Sequence, residues 1–361
     1  MEKYRVGIVG ATGMVGQRFI SLLKDHPWFE VNCVAASARS AGKTYREAVG
    51  ERWAFSWEIP EKVAGMTVVD AADIDEVSKH VDFVFCAVDM KKDEIRALEE
   101  AYAKHEIPVV SNNSACRGIE DVPMVVPEIN ADHLAVIEAQ KKRLGTKNGF
   151  IAVKPNCSIQ SYVPALTPLL DFEPEKVSVC TYQAISGAGK TFKTWPEMVD
   201  NVIPYIGGEE EKSEKEPLKL WGHVEDGKIV NAALPVISAQ CLRVACSDGH
   251  MAAVSVSFKK KPTIEQIKER WANYETEAQR LELPSAPKPF LQYFEDPSRP
   301  QTRLDRDFQN GFGVSIGRLR EDKLFDYRFV CLSHNTVRGA AGGGILTAEL
   351  LCRKGYIPHR V

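Results

Sequence analysis

The residue best suited to covalent chemistry is a cysteine in the segment Lys154–Ser161, which reads KPNCSIQS. Cys157 follows the apolar run Phe150–Val153 and precedes Tyr162–Leu170, whose pattern predicts a strand followed by a helix. A cysteine at a helix N-terminus feels the positive end of the helix dipole, which lowers the pKa of the thiol. Taken alone, however, a cysteine is more often a small buried side chain than a nucleophile.

Three downstream residues are of the types that a cysteine nucleophile needs. His250, which follows Gly249 in RVACSDGH, can exchange protons near neutral pH. Arg243 lies in a strand-like segment, where it must meet an anionic ligand or a carboxylate if it is buried. Gln183 ends the strand-like run Val177–Gln183, where its amide can orient a reacting group. With these partners, we predict that Cys157 is a nucleophile.

A glycine-rich turn near the N-terminus predicts a dinucleotide site. The apolar run Val6–Val9 leads into the spacing G-x-x-G-x-x-G and then the helical segment Gln17–Lys24. Such glycines let the backbone approach a pyrophosphate at a helix N-terminus. The predicted cofactor contacts here are Gly10, Thr12, Gly13, Met14, Val15 and Gly16.

The segment after the second predicted strand favours NADP over NAD. Where an acidic residue would hold a ribose 2′-hydroxyl, the sequence AASARSAGK has Ser37, Arg39 and Ser40. Hydroxyls and a guanidinium suit a 2′-phosphate. The alternative is that Arg39 lies on a solvated loop.

The first half of the chain alternates short apolar runs with helical stretches, which predicts a Rossmann-type parallel sheet. The runs are Thr67–Val69, Phe83–Val88 and Pro108–Val110, and Lys91–Lys104 is helical. Because ligands of such sheets bind beyond the strand ends, Cys86 is a further predicted cofactor contact.

The second half reads as an α+β domain with a mixed sheet. Its helical stretches are Phe192–Val202 and Thr263–Tyr274, and its longer strand-like runs are Val177–Gln183, Lys228–Val236, Ala239–Val244, Met251–Lys259 and Lys323–Leu332. We predict residues 1–155 with 334–361 as the nucleotide domain and 156–333 as a catalytic and dimerisation domain. A homodimer or homotetramer is expected.

Composition narrows the class of protein further. The 361 residues carry a net charge of -3, so no bulk attraction for nucleic acid or anionic membrane is expected. No apolar run approaches the roughly 20 residues of a membrane span. Nine scattered cysteines favour reduced thiols in a cytoplasm. No paired C-x-x-C spacing occurs, so no metal site is predicted.

Five motifs together resemble the aspartate-semialdehyde dehydrogenase family, in particular its archaeal and fungal-like branch. They are GIVGATGMVGQ, KPNCS, YQAISGAGK, RVACSDGH and NTVRGAAGGGILTAELL, in the expected order over essentially the whole chain. The resemblance implies that Cys157 is the nucleophile, His250 the acid/base and Gln183 an orienting residue. It implies further that the C-terminal helix returns to the nucleotide domain, and it adds Ser186, Gly187 and Asn335 as cofactor contacts.

The resemblance also implies a substrate-binding set. Arg243 would hold the substrate carboxylate, Arg117 and Lys212 the phosphate, and Glu209 the amino group, with Glu210 and Glu211 as open alternatives. The implied reaction is the NADPH-dependent reduction of L-aspartyl 4-phosphate to aspartate 4-semialdehyde through a Cys157 thioester, in the biosynthesis of lysine, methionine, threonine and isoleucine. The alternatives are a malonyl-CoA reductase, which needs no partner for an amino group, N-acetyl-glutamyl-phosphate reductase, whose motifs match less well, and a non-catalytic NADP-binding sensor.

Overall fold

The computed structural model of the chain describes residues 2–359. Met1, Arg360 and Val361, which belong to the predicted nucleotide domain, lie outside the described residues. Two large β-sheets organise the structure, one wholly parallel and one mixed. The predicted fold class is therefore confirmed, whereas the exact domain boundaries stay a prediction.

The first sheet has six parallel strands in the order β3-β2-β1-β4-β5-β6. The strands are β1 Tyr4–Val9, β2 Phe29–Ala36, β3 Val69–Asp70, β4 Phe83–Cys86, β5 Val109–Ser111 and β6 Ile151–Val153. The helices between them are α1 Met14–Leu23, α2 Tyr45–Val49, α3 Glu61–Ala64, α4 Ile74–Ser78, α5 Lys92–Lys104 and α6 Ile137–Leu144. The strand order reverses between β1 and β4, and ligands of doubly wound sheets bind at that switch point.

The second half contains nine strands and six α-helices within the described residues. The strands are β7 Pro174–Gln183, β8 Val202–Ile203, β9 His223–Glu225, β10 Lys228–Val230, β11 Val236–Val244, β12 His250–Phe258, β13 Leu291–Phe294, β14 Val314–Glu321 and β15 Tyr327–Ser333. The helices are α7 Val163–Leu166, α8 Glu209–Leu220, α9 Ile264–Ala272, α10 Glu277–Arg280, α11 Thr302–Asp305 and α12 Gly342–Arg353. Seven strands form a mixed sheet in the order β13-β14-β15-β12-β7-β11-β8, and β9 and β10 form a separate hairpin.

The C-terminal helix packs against the first sheet rather than the second. Ile345 and Leu350 of α12 share an apolar cluster with Phe19 of α1 and Val6 of β1. All four residues of β4 are buried, because helices cover both faces of a doubly wound sheet. The first sheet is thus completed by the last helix of the chain.

Two predicted elements of the second half are wrong. Phe192–Val202 forms only a short 3-10 turn at Pro196–Met198, because the residue before a proline is disfavoured in a helix. Lys228–Val236 is not one strand, since Lys228–Val230 pairs with β9 across a tight turn at Asp226–Gly227, whereas Val236 begins β11. Both of these turn residues have positive φ, which suits a two-residue hairpin loop.

Within residues 2–359, no helix has the length and apolar character needed to cross a membrane. Over the same residues, no group of three or more His, Cys, Asp or Glu side chains is arranged to hold a metal ion.

Candidate active site

Three neighbouring strands of the second sheet end at one place and deliver three of the predicted site residues. Gln183 ends β7, Arg243 is next to last in the parallel strand β11, and His250 begins the antiparallel strand β12. Gln183 pairs with Arg243 in the register of the sheet. All three side chains are buried, on the face of the sheet that is turned towards the protein interior.

Cys157 reaches this place from the end of β6, the last strand of the first sheet. It follows β6 in a series of turns, and the first helix after it, α7, begins only at Val163. The expectation that a helix N-terminus activates the thiol is therefore wrong. Instead, the Oδ1 of Asn156 accepts hydrogen bonds from the backbone N–H and the hydroxyl of Ser158, at 2.7 and 2.8 Å, which fixes the backbone around Cys157.

The thiol of Cys157 lies next to the imidazole of His250. The Sγ–Nε2 distance is 3.4 Å. The backbone N–H of Ala184 donates to Nδ1 of His250 at 3.0 Å, so the neutral imidazole carries its proton on Nε2. Burial, followed by the nearby charge of Arg243, lowers the pKa of His250 to about 3. Near neutral pH, His250 therefore presents a hydrogen-bond donor to the sulfur.

Opposing effects act on the pKa of the Cys157 thiol. Burial raises the pKa, the carboxylate of Glu209 adds to the rise, and Lys154, Arg117 and Arg243 counteract it. The net effect is a raised pKa. The free protein thus holds Cys157 mainly as a thiol, and the three cations and the Nε2–H of His250 are the groups that favour the thiolate.

Glu209, the first residue of α8, is the centre of a polar cluster beside Cys157. Its carboxylate accepts hydrogen bonds from Gln183 at 3.1 Å, from Lys212 at 2.8 Å and from the side chain of Asn156 at 3.0 and 3.1 Å. Burial acts to raise the pKa of Glu209, but these partners outweigh it and hold the pKa below its usual value. Glu209 therefore stays ionised.

The two adjacent glutamates do not join this cluster. Glu210 accepts a hydrogen bond from the backbone N–H of Cys241 at 3.2 Å, and Glu211 is exposed. Among the three alternatives, the structure brings only Glu209 towards Cys157.

Arg243 is buried, with NH1 donating to the carbonyl of Ala184 at 2.7 Å. The same residue, Ala184, thus contacts Arg243 through its carbonyl and His250 through its N–H. Gly187 passes over both side chains, since a Cβ there would lie 2.9 Å from Arg243 and 3.0 Å from His250. A glycine at this position leaves room above the arginine and the histidine.

Arg117 and Lys212 line a groove of about 660 Å³ beside the cluster. The guanidinium of Arg117 is buried and donates to Glu216 at 3.0 Å and to the carbonyl of Asn112 at 3.2 Å. Two cations from different domains therefore face one groove close to the thiol, as an anionic ligand requires.

A second groove, of about 590 Å³, lies at the switch point of the first sheet. Of the predicted cofactor contacts, the structure places six in its wall: Gly10, Thr12, Gly13, Ser37, Arg39 and Ser40. Lys43 and Arg52, which the sequence patterns did not single out, also line it. Gly10 has φ of 91°, and a Cβ there would lie 2.3 Å from the carbonyl oxygen of Ala87, so only glycine fits.

Several predicted cofactor contacts lie off this wall. Met14 and Val15 begin α1, and Gly16 packs against Gly10, whose oxygen would be 2.3 Å from an added Cβ. Cys86 is buried at the end of β4, where its sulfur accepts from Asn113 at 3.4 Å. Gly16 and Cys86 thus pack behind residues of the groove and do not line it.

Asn335 connects the C-terminal segment to the loops of the second sheet. Its side chain donates to Ser186 and accepts from the backbone N–H of Gly249, both at 2.8 Å. Ser186 follows Gln183 by three residues and Gly249 precedes His250, so Asn335 ties together the two loops that flank the thiol. The predicted group Ser186, Gly187 and Asn335 is brought together here.

Two buried polar residues of the site were missed by the sequence patterns. Lys154 donates to the carbonyls of Pro155 and Gly339, and burial, together with the charge of Arg117, lowers its pKa to about 7. A Cβ on Gly339 would lie 2.8 Å from the Cβ of Cys157, so this contact packs the C-terminal segment against the thiol. Asn156, between lysine and cysteine, contacts Glu209. The sequence signal that could have identified Lys154 and Asn156 is their position directly after the apolar strand β6.

Two family models match most of the chain. The model described as semialdehyde dehydrogenase, NAD binding domain, matches residues 5–137, and the model described as semialdehyde dehydrogenase, dimerisation domain, matches residues 166–338.

Individual proteins of this family and their solved structures are similar to the chain over nearly its whole length. The chain is 46% identical to the aspartate-semialdehyde dehydrogenase of Schizosaccharomyces pombe, over 98% of the chain and 99% of that protein. It is 43% identical to that of Archaeoglobus fulgidus, over 98% of the chain and 100% of that protein. A crystal structure of the enzyme from Candida albicans with NADP is similar with a TM-score of 0.89 and 39% identity, covering 99% of this chain and 100% of the other.

Proposed function

The chain belongs to the aspartate-semialdehyde dehydrogenase family, and we propose that it catalyses the NADPH-dependent reductive dephosphorylation of L-aspartyl 4-phosphate to aspartate 4-semialdehyde. One observation carries the proposal: a cysteine lies 3.4 Å from a histidine, with Arg243, Arg117 and Lys212 around it. A substrate with both a carboxylate and a phosphate needs such a set of cations.

Cys157 would form the covalent intermediate. In the oxidative direction, its thiolate adds to the aldehyde carbon, and loss of a hydride from that carbon converts the adduct into a thioester. A phosphate oxygen then attacks the acyl carbon, the carbon–sulfur bond breaks, and the thiolate is regenerated with the acyl phosphate as product. Biosynthesis runs these steps in reverse. The covalent intermediate divides one difficult step into two easier ones.

His250 would donate a hydrogen bond first to the sulfur of Cys157 and then to the oxygen of the adduct. Its Nε2–H is the donor nearest the sulfur and would stabilise negative charge on either atom. A full proton transfer to His250 would leave a proton on Nδ1 facing the N–H of Ala184. We therefore expect proton exchange at His250 to break the Ala184 hydrogen bond.

The remaining side chains would orient the substrate. Arg243 would bind the α-carboxylate, Glu209 the amino group, and Arg117 with Lys212 the phosphate. Gln183, held by Glu209 and by the hydroxyl of Thr181 at 3.0 Å, would direct its amide towards the reacting carbonyl. The ionised Glu209 favours an amino-acid substrate over malonyl-CoA, which has no amino group to pair with it.

The second groove fits NADP(H), which when bound supplies or accepts the hydride. Gly10 lines this groove with φ of 91°, and the tight turn that it permits lets the backbone approach a pyrophosphate closely. The cations Arg39, Lys43 and Arg52 line the same groove as Ser37 and Ser40. Such a set suits a 2′-phosphate, so we propose a preference for NADP over NAD.

Nicotinamide absorbance tests this proposal with the purified protein. We expect phosphate-dependent reduction of NADP with aspartate semialdehyde, much slower reduction of NAD, and no oxidation of NADPH with malonyl-CoA. Turnover of malonyl-CoA alone would establish the reductase alternative. Binding of NADP without turnover of either substrate would establish the sensor, and equal rates with NAD would contradict the cofactor preference.

We also propose that the protein is a homodimer whose interface includes the open face of the second sheet. One face of β7 and β11 is buried, whereas Tyr182 and Val236 on the other face are 38% and 63% exposed. Paired residues of β7, β11 and β12 continue this half-exposed face, which a second copy would cover. Sedimentation equilibrium should give a dimer or a larger assembly, and Tyr182→Glu should shift it towards monomer. A wild-type monomer would contradict this proposal.

A cytoplasmic location is consistent with the cysteines. All nine lie within residues 2–359, and none of them forms a disulfide. Free thiols persist in a reducing compartment.

A further inference from the structure

Helix α8 carries a stripe of charged residues along one face. The charges along this face alternate in sign, and the residues are three or four positions apart, as neighbours on one face of a helix are. They are Glu209, Lys212, Glu216 and Lys219. Glu209 and Lys212 belong to the site described above. Glu216 and Lys219 are also buried, and the proposed reaction assigns them no role.

The carboxylate of Glu216 joins two parts of the proposed site. One oxygen, Oε1, accepts from NH1 of Arg117 at 3.0 Å. The other, Oε2, accepts from the backbone N–H of Asn156 at 2.5 Å. Asn156 directly precedes Cys157, so a single side chain, 9% exposed, links the arginine of the groove to the backbone at the thiol.

Lys219 fixes the loop that carries this arginine. Its ammonium donates to the carbonyls of Arg117, Ile119 and Val122, at 2.8, 2.7 and 3.0 Å. All three donors of the ammonium are thus used within one loop. Lys219 lies one turn after Glu216 on α8. The helix therefore binds the backbone of this loop through Lys219 and the guanidinium of Arg117, at the start of the loop, through Glu216.

The hydrogen bonds of Arg117 leave part of its guanidinium for a ligand. NH1 and NH2 each use one donor, to Glu216 and to the carbonyl of Asn112. Within residues 2–359, its buried Nε has no hydrogen-bond partner. Arg117 and Glu216 line the same groove, so the contact with Glu216 sets which edge of the guanidinium an anion meets.

We propose that Glu216 is a positioning residue for the phosphate step, which orients Arg117 relative to the acyl group on Cys157. This inference rests on the proposed function and extends it to a residue that does not itself touch the substrate. Attack of phosphate on the thioester requires the phosphate oxygen and the acyl carbon to be aligned within a fraction of an ångström. Glu216 couples the two partners because it binds the phosphate-binding arginine and the nucleophile backbone at once.

The substitution Glu216→Gln tests the two halves of the reaction separately. An amide has one oxygen, so it can serve only one of the two donors and turns an NH₂ group towards the other. The backbone N–H of Asn156 is fixed, whereas Arg117 can rotate away. We therefore expect the variant to keep the contact at Asn156 and to lose the orientation of Arg117.

The expected result is a rise of about 10- to 100-fold in KM for phosphate, or an equal fall in kcat/KM for phosphate. The rapid burst of NADPH in a stopped-flow experiment without phosphate, which reports thioester formation, should stay within about threefold of wild type. Glu216→Asp, which keeps both oxygens, should restore part of the phosphate affinity. Glu269→Gln removes the same charge from an exposed position on α9 and should match wild type in all three measurements.

A double-mutant cycle with Arg117→Ala identifies the route of the effect. If Glu216 acts through the arginine, Glu216→Gln should have little further effect on phosphate in the Arg117→Ala background. Additive effects, an equal loss of burst and phosphate step, or an unchanged kcat/KM for phosphate would overturn the inference. Should Glu216→Gln fail to fold, the Glu216→Asp variant and the same cycle decide between these results. An absence of phosphate-dependent activity in wild type would instead overturn the proposed function.

Discussion

Replacing Cys157 with alanine should abolish phosphate-dependent oxidation of aspartate semialdehyde, with a loss in kcat of more than about 10⁴-fold. The reason is that alanine cannot form the thioester, so neither hydride loss from an adduct nor attack by phosphate has a substrate. The cofactor groove lies in the other part of the fold, so the affinity for NADP should change little. Absorbance assays and a fluorescence titration with NADPH measure the two quantities.

The matched control is Cys352→Ala, a partly exposed cysteine in α12, which should keep its activity. Alkylation provides an independent measure, because Cys157→Ala should lose the label that inactivates wild type. Since burial and Glu209 raise the pKa of the Cys157 thiol, the rate of inactivation should still increase with pH above about 8.5, the usual pKa of cysteine. Retained activity in Cys157→Ala would refute its assignment as nucleophile.

The first sheet could be predicted closely, because its signals are local. The glycine-rich turn and the short apolar runs lie within a few residues of the features they predict. β4 lies within the predicted Phe83–Val88 and β5 overlaps the predicted Pro108–Val110, although β3 is shorter and lies later than the predicted Thr67–Val69. Parallel strands that are buried on both faces give continuous apolar runs, so the strands of this half can be located from the sequence.

The second sheet was less predictable, because its order depends on pairing between distant segments. β13 and β14 were missed, and the adjacent strands β7 and β11 are separated by some 50 residues that contain β8, α8 and the hairpin of β9 and β10. The prediction of a helix at Phe192–Val202 and a strand at Lys228–Val236 followed the apolar residues of these segments. The prolines and turns that interrupt both segments were given too little weight. Periodicity does not report which strands become neighbours.

At the site, residue types were predictable and their electrostatics were not. The sequence patterns identified Cys157, His250, Gln183 and Arg243, which the fold brings together. The helix dipole expected to activate Cys157 is absent there, because turns occupy residues 157–162. Lys154 and Glu216 act through contacts with Gly339 and Arg117, respectively, which are 185 and 99 residues away in sequence. Such contacts exist only once segments distant in the sequence have come together in the fold.

The substitutions Arg243→Lys and His250→Ala should separate substrate binding from turnover. Arg243 uses NH1 for the carbonyl of Ala184, and its remaining donors can form a fork to a carboxylate. Lysine keeps the charge but loses the fork, so KM for aspartate semialdehyde should rise by about 10- to 100-fold with kcat little changed. His250→Ala removes the donor beside the sulfur, so kcat should fall by about 10²- to 10⁴-fold with a smaller change in KM.

The pH profile of kcat tests the protonation state assigned to His250. Burial and Arg243 lower the pKa of His250 to about 3, so its neutral form persists down to that pH. The kcat of wild type should therefore show no fall near pH 6.5 from protonation of this histidine, and Arg243→Lys, which keeps the positive charge, should not introduce one. His223→Ala, at an exposed histidine in β9, is the matched control and should leave both constants unchanged. A fall in kcat for Arg243→Lys together with a rise only in KM for His250→Ala would reverse the two assignments.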